Sequence, residues 1–182
     1  RLSNKLNQLA KEHNIKIIGG DTIGSDKLGI VITMIGHSKT PLKRDTVKEG
    51  HLLAYTGVLG KAKEDLELLL SGERIPDNSK FYNPIIRKDF IKAVTPWLSG
   101  GMDISDGLYC DTNKLLKCNN LYLEELKVIP QNIGESGEEY EMLIAFDSKN
   151  LKRVKRIAKL TNTPLTVFAK TTSKKTLYYP CN

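Results

Sequence analysis

The chain has 182 residues, 40% of them apolar and 27% charged, with a formal net charge of +7. These proportions are ordinary for a soluble protein, and the length is enough to bury a real core. Its longest apolar stretch, GIVITMIG at 29–36, is far too short to span a bilayer, which excludes a transmembrane helix there. Cys110, Cys118 and Cys181 are odd in number and lack C-x-x-C spacing, which argues against a disulfide framework and a zinc knuckle and favours a reducing compartment.

The opening segment RLSNKLNQLAKEHN places Leu2, Leu6, Leu9 and Ala10 on one helical face, with Asn14 as a stop. IKIIGG then reads as a buried strand ending in two glycines, and IVITMIGHS, rich in β-branched residues, as a second strand. A helix and two strands cannot cover both faces of their own sheet, so this region reads as an incomplete domain. KTPLKRDTVKEG, 39–50, is polar and carries a proline, the mark of a linker or boundary. HLLAYTG is a predicted strand and KAKEDLELLLSG a predicted helix with Leu66, Leu69 and Leu70 inward. RKDFIKAVTPWL is a further helix with Pro96 near its end.

SGGMDISDGL leads as a glycine-flanked turn into a helix through YCDTNKLLKC; after a polar connection come the strand YEMLIAF, a basic helix, the strand PLTVFAK and the extended piece TLYY. In the basic helix KNLKRVKRIAKL, Leu151, Val154, Ile157, Ala158 and Leu160 recur at helical spacing, so the cations face outward as a solvated surface. No aromatic residue in that run interleaves with the charges to stack nucleic-acid bases. His13, His37 and His51 are isolated from one another and receive no role. Sheet with covering helices is the predicted architecture.

Three short acidic motifs carry chemistry. TGVLGKAK at 56–63 is not a nucleotide P-loop, because only two residues separate its glycines and Ala62 stands where a Ser or Thr is needed. GGDT puts Asp21 at a strand end beside two glycines; alone, that aspartate reads as a turn cap. In DISDGL, Asp103 and Asp106 lie three apart, with Asp106 placed to cap the next helix. The competing reading is a magnesium site, which uses one or two carboxylates from separate segments together with phosphate oxygens and water. SGEEYEM clusters Glu138, Glu139 and Glu141 at a strand start; exposure explains them most simply, because burial without partners is costly.

Taken together and in this order, GGDT, MDISDGL and GEEYE resemble the thiamine-monophosphate kinase family of the aminoimidazole ribonucleotide synthetase-like superfamily. The resemblance covers nearly the whole chain, including Arg44, the TGVLG turn and NPIIR. Other members, such as selenophosphate synthetase and the purine synthetase, look different at GGDT and DISDGL.

The resemblance implies an α/β (α+β) fold with a mixed sheet covered by helices. Residues 1–40 would be a remnant of an N-terminal ATP- and magnesium-binding domain, and 41–182 the C-terminal domain. It implies transfer of the γ-phosphoryl group of ATP to thiamine monophosphate. Asp21, Asp103 and Asp106 would bind Mg2+, Gly20, Arg44 and Ser105 would bind ATP, and Glu138 would meet the thiamine substrate. Glu139 stands where the family has aspartate. The implied setting is a cytoplasmic homodimer when full length, without nucleic-acid or membrane partners, and the piece alone is expected to be inactive. Another ATP-using member of the superfamily, or a non-catalytic nucleic-acid-binding module, is the alternative.

Overall fold

The computed structural model describes residues 2–176 and 178–181, and the chain separates into two units, Arg1–His37 and Ser38–Asn182. In the first unit a helix, α1 (Leu2–Glu12), forms as its apolar spacing predicts, although none of its residues is buried. It stops at Asn14, whose φ of 54° is left-handed, with the Ile15 amide donating to the Ala10 carbonyl at 2.7 Å. The two strands predicted at IKIIGG and IVITMIGHS are not formed; residues 15–37 run without ladder partners among the described residues. Ile18, Ile23, Val31 and Ile35 are 80% or more exposed there. β-branched residues favour a strand only where a neighbouring strand and a covering layer exist to receive them.

The second unit is a five-stranded sheet covered on both faces. Its strands are β1 (Leu52–Thr56), β2 (Gly100–Ile104), β3 (Tyr122–Glu125), β4 (Glu141–Phe146) and β5 (Leu165–Thr172), in the order β2-β4-β1-β5-β3. Its helices are α2 (Lys61–Leu70), α3 (Lys88–Val94), α4 (Leu108–Cys118), the short α5 (Gln131–Gly134) and α6 (Leu151–Leu160). All four strand pairings are antiparallel, so the α+β form of the expected fold is realised and the expected mixed sheet is corrected. The cause is visible in β1 and β4. Leu53, Tyr55, Leu143 and Ala145 face the core that includes Leu108, Leu115 and Leu116 of α4. Leu52, Ala54, Ile144 and Phe146 face Phe90 and Val94 of α3 and Val154 and Ala158 of α6. Strands buried on both faces lose polar alternation and mimic the pattern of a parallel sheet.

Three further expectations change. In α2 the inward residues are Ala62 and Asp65, while Leu66, Leu69 and Leu70 are exposed at 41%, 38% and 79%. The helix is fixed in rotation by its first turn, where the Gly60 and Ala62 amides donate to the Glu139 carboxylate, and not by its leucines. Leu160 of α6 is also exposed, leaving Val154 and Ala158 as that helix's buried residues. Cys110 and Cys181 form a disulfide with Cα atoms 5.3 Å apart, across 71 residues of sequence. Short-spacing rules detect local bridges and zinc knuckles, not a tail brought back onto a helix.

β3 was read as part of a polar connection; it is a short edge strand whose Glu124 and Glu125 mask it. The double glycine at the start of β2 has a packing reason: a side chain at Gly100 would stand 2.7 Å from Val47 Cγ2. The segment 39–50 is therefore strapped across β2, with the Gly101 amide donating to the Lys43 carbonyl at 3.0 Å. Of the predicted extended piece TLYY, Leu177 lies outside the described residues. No helix among the described residues is long and apolar enough to cross a membrane.

Candidate active site

The DISDGL turn leaves the sheet where edge strand β2 ends and α4 begins. Asp103 lies opposite Met142 of β4, and its carboxylate is 3.7 Å from the Arg44 guanidinium, both side chains about half exposed. Asp106 is further out and pairs with Lys114. It does not cap α4: the residue before that helix is Gly107, at φ 103°, and no side chain caps it. The acceptor for the turn is Asp111, which sequence reasoning passed over. Its Oδ2 takes the amides of Ser105 at 2.9 Å and Asp106 at 3.0 Å, and its Oδ1 meets Lys114 Nζ at 2.8 Å. Hydrogen bonds to Asp106 and then to Asp111 hold the Lys114 ammonium above the ordinary lysine pKa.

The GEEYE loop is bound directly to this turn. The Glu138 amide donates to the Ser105 carbonyl at 2.7 Å and the Tyr140 amide to the Ile104 carbonyl at 2.9 Å. A side chain at Gly137 would come within 2.9 Å of that Ser105 carbonyl, so glycine permits the close approach. Glu138 and Tyr140 adopt left-handed φ values of 56° and 51°. Both side chains are exposed, whereas Glu139 and Glu141 are buried. The Tyr140 hydroxyl donates to Glu138. That hydrogen bond, then burial and the charges of Glu138 and Asp103, push the phenol up, which places Tyr140 in the field of both acids.

Exposure of all three glutamates is thereby corrected, and burial is made affordable by partners. Glu139 Oε1 accepts from the Gly60 amide at 2.6 Å, the Ala62 amide at 3.2 Å and the Ser136 hydroxyl at 2.7 Å, while Oε2 meets Lys80 at 2.7 Å. Glu141 takes a two-pronged contact from Arg87, both arms at 2.8 Å, and the Thr56 hydroxyl at 2.7 Å. Burial raises the Glu141 carboxyl, but Arg87, Thr56 and the Lys80 charge outweigh it and hold the group below the ordinary glutamate range. Gly57, at φ 70°, makes room for Glu141: a side chain there would lie 1.8 Å from Oε1. The TGVLGK turn is therefore not a phosphate cradle, because the carboxylate of Glu139 already occupies the amides at the start of α2.

The second unit thus brings together Arg44, Asp103, Ser105, Asp106 and Glu138. Gly20 and Asp21 belong to the first unit, where both are exposed and Asp21 Oδ1 accepts the Thr22 amide at 2.7 Å, the local turn geometry that the motif alone suggests. Among the described residues no three His, Cys, Asp or Glu side chains gather as a metal cage. Asp103 and Asp106 are exposed oxygen donors of the kind that a magnesium ion shared with phosphate oxygens and water uses, and a bound cation would take the places now held by Arg44 and Lys114. A hollow of about 610 Å3 lined by Thr46, His51, Trp97 and Lys149 includes none of these residues. Tyr178 and Tyr179 anchor the tail: Tyr179 stacks on Tyr109 at 4.1 Å and its hydroxyl donates to Glu125.

The antiparallel sheet covered on both faces is a fold that the second unit shares with solved structures. A structure of AaThiL complexed with AMPPCP and TMP superposes with a TM-score of 0.59 at 21% identity, covering 72% of this chain and 48% of that one. PurLQS from Thermotoga maritima superposes at 0.52 with 17% identity, covering 71% of this chain and 23% of that one. In sequence, the thiamine-monophosphate kinase of Leptospira interrogans is 31% identical over 188 residues, covering 92% of this chain and 59% of the relative. That of Pyrococcus horikoshii is 30% identical over 165 residues, covering 82% and 53%. The Aquifex aeolicus enzyme is 26% identical over 155, covering 72% and 51%. No family model matches the chain. These relatives are all thiamine-monophosphate kinases; the chain is similar to them over most of its own length and spans about half of theirs.

Proposed function

We propose that the chain is part of an ATP-dependent kinase that phosphorylates thiamine monophosphate to thiamine diphosphate by direct in-line transfer of the γ-phosphoryl group. The observation that carries this reading is the hydrogen-bonded union of the DISDGL turn with the GEEYE loop, which sets Asp103 and Asp106 beside Glu138. Phosphoryl transfer asks little of a protein beyond positioning and charge neutralisation. Asp103 and Asp106 would hold Mg2+, which when bound neutralises phosphate charge. Ser105 contacts the nucleotide, and Arg44 moves its charge from Asp103 toward the ATP phosphates. Glu138 orients the cationic thiamine substrate, and no general base is needed, because the acceptor oxygen is already anionic.

Residues 1–40 are read as part of an N-terminal ATP- and magnesium-binding domain and 41–182 as the second domain of a cytoplasmic homodimer. With about half of its relatives' length present, the 182 residues alone are expected to bind nucleotide poorly and to lack kinase activity. The test is a product assay with Mg-ATP and thiamine monophosphate on a protein carrying these 182 residues within a chain of its relatives' full length. Thiamine diphosphate is expected, with a loss of roughly a hundredfold or more in Asp103→Asn and Asp106→Asn. Turnover of selenide or a purine precursor instead would reassign the substrate, and activity of the 182 residues alone would refute the expected incompleteness.

A further inference from the structure

We propose that Asp111 is the positioning residue of the candidate nucleotide site, aiming Ser105 and Asp106 without itself touching the ligand. The proposal rests on the reading of that turn given above. Asp111 is fully buried in the first turn of α4, and its side chain bonds to the preceding loop and to Lys114. One carboxylate oxygen takes two consecutive amides, Ser105 and Asp106, at 2.9 and 3.0 Å. The other takes Lys114, which also pairs with Asp106.

The orientation of Asp106 is therefore set from Asp111 by two routes, through its own backbone and through a shared lysine. Charge-assisted bonds of this kind are the strong ones, and a negative charge at a helix start is favoured by the aligned peptide dipoles. Gly107 at φ 103° gives the chain a sharp bend between the turn and α4; the GEEYE loop holds the carbonyls of Ile104 and Ser105, and Asp111 holds the amides of Ser105 and Asp106. A turn held in advance receives a cation and phosphates without reorganising, which is what support behind the ligating residues achieves in metal sites.

Amide hydrogen exchange and Mn2+ titration test this on the 182-residue chain. In Asp111→Ala, exchange at Ser105 and Asp106 is expected to speed up about tenfold or more while the amides of β4 keep their protection. Paramagnetic broadening of the Asp103, Ser105 and Asp106 amides is expected to need about tenfold more Mn2+ than in the parent. Asp111→Asn keeps an oxygen that accepts the two amides, and is expected to recover most of both losses. Asp65→Asn alters a buried acid outside the turn and is expected to move neither readout. Unchanged exchange at Ser105 and Asp106 in Asp111→Ala overturns the proposal. Equal loss of protection across β4 also overturns it, since Asp111 would then serve the fold and not the turn. If Mn2+ fails to broaden those amides in the parent, the cation reading fails, and the exchange rates alone decide the role of Asp111.

Discussion

The DISDGL turn and the GEEYE strand start both set acids against bases, yet one pairing stands open and the other is closed. Asp103 and Asp106 meet Arg44 and Lys114 with side chains 47% and 64% exposed. Glu139 and Glu141 meet Lys80 and Arg87 with at most 1% exposed. Exposed pairs contribute little to stability and exchange partners readily, whereas removing one member of a buried pair strands a charge. The same residue types thus stand open to solvent in one place and form closed, buried pairs in the other, and the exposed Glu138 belongs with the open set.

The largest effect that sharpens this contrast is expected at Glu139→Ala. It removes the acceptor of the Gly60 and Ala62 amides and leaves Lys80 to the Val58 carbonyl and to Glu141 at 3.5 Å, and denaturant unfolding should register a loss of about 4 kcal/mol. A loss close to zero would show that the network is not closed. Next comes Gly57→Ala, where the new methyl meets the Glu141 carboxylate and φ is 70°; a loss of about 3 kcal/mol is expected in the same measurement.

Acid should act on the closed region in a defined direction. The Glu141 carboxyl is held below its reference value of 4.5, so the unfolded chain binds more protons there than the native one. The stability it contributes is present above about pH 4.5 and is lost as pH falls through the lower native value. Glu141→Gln should flatten that part of the pH dependence of unfolding, and an unaltered profile would break the assignment.

The smallest stability effect is expected at Asp103→Asn and Asp106→Asn, within about 0.5 kcal/mol of the parent by thermal or denaturant unfolding. Paired with the activity loss proposed above, that result separates the open acids from the closed ones. A large loss of stability at either position would merge the two regions.

Much of the second unit was legible in the sequence because its elements are locally encoded. Apolar runs marked β1, β4 and β5, periodicity marked α4, and Pro96 falls in the single 3-10 turn that follows α3. The acidic motifs announced themselves by composition, and Asp103, Ser105, Asp106 and Glu138 proved to be neighbours. What composition misassigned was the burial of Glu139 and Glu141, because their partners Lys80 and Arg87 lie 59 and 54 residues away in sequence.

By itself, then, the sequence determined most of the helices and strands of the second unit, β3 and the short α5 apart, and marked the acidic motifs that meet at the candidate site. These depend on local periodicity, turn chemistry and motif order, all of which are written along the chain. Tertiary structure alone decided the antiparallel order of the sheet, the rotation of α2, the Cys110–Cys181 bridge and the clamp made by Asp111. It also left residues 15–37 without strand partners. Each of these turns on which distant group desolvates, neutralises or pairs with another, and free energies of that kind are set by proximity in space and not along the backbone.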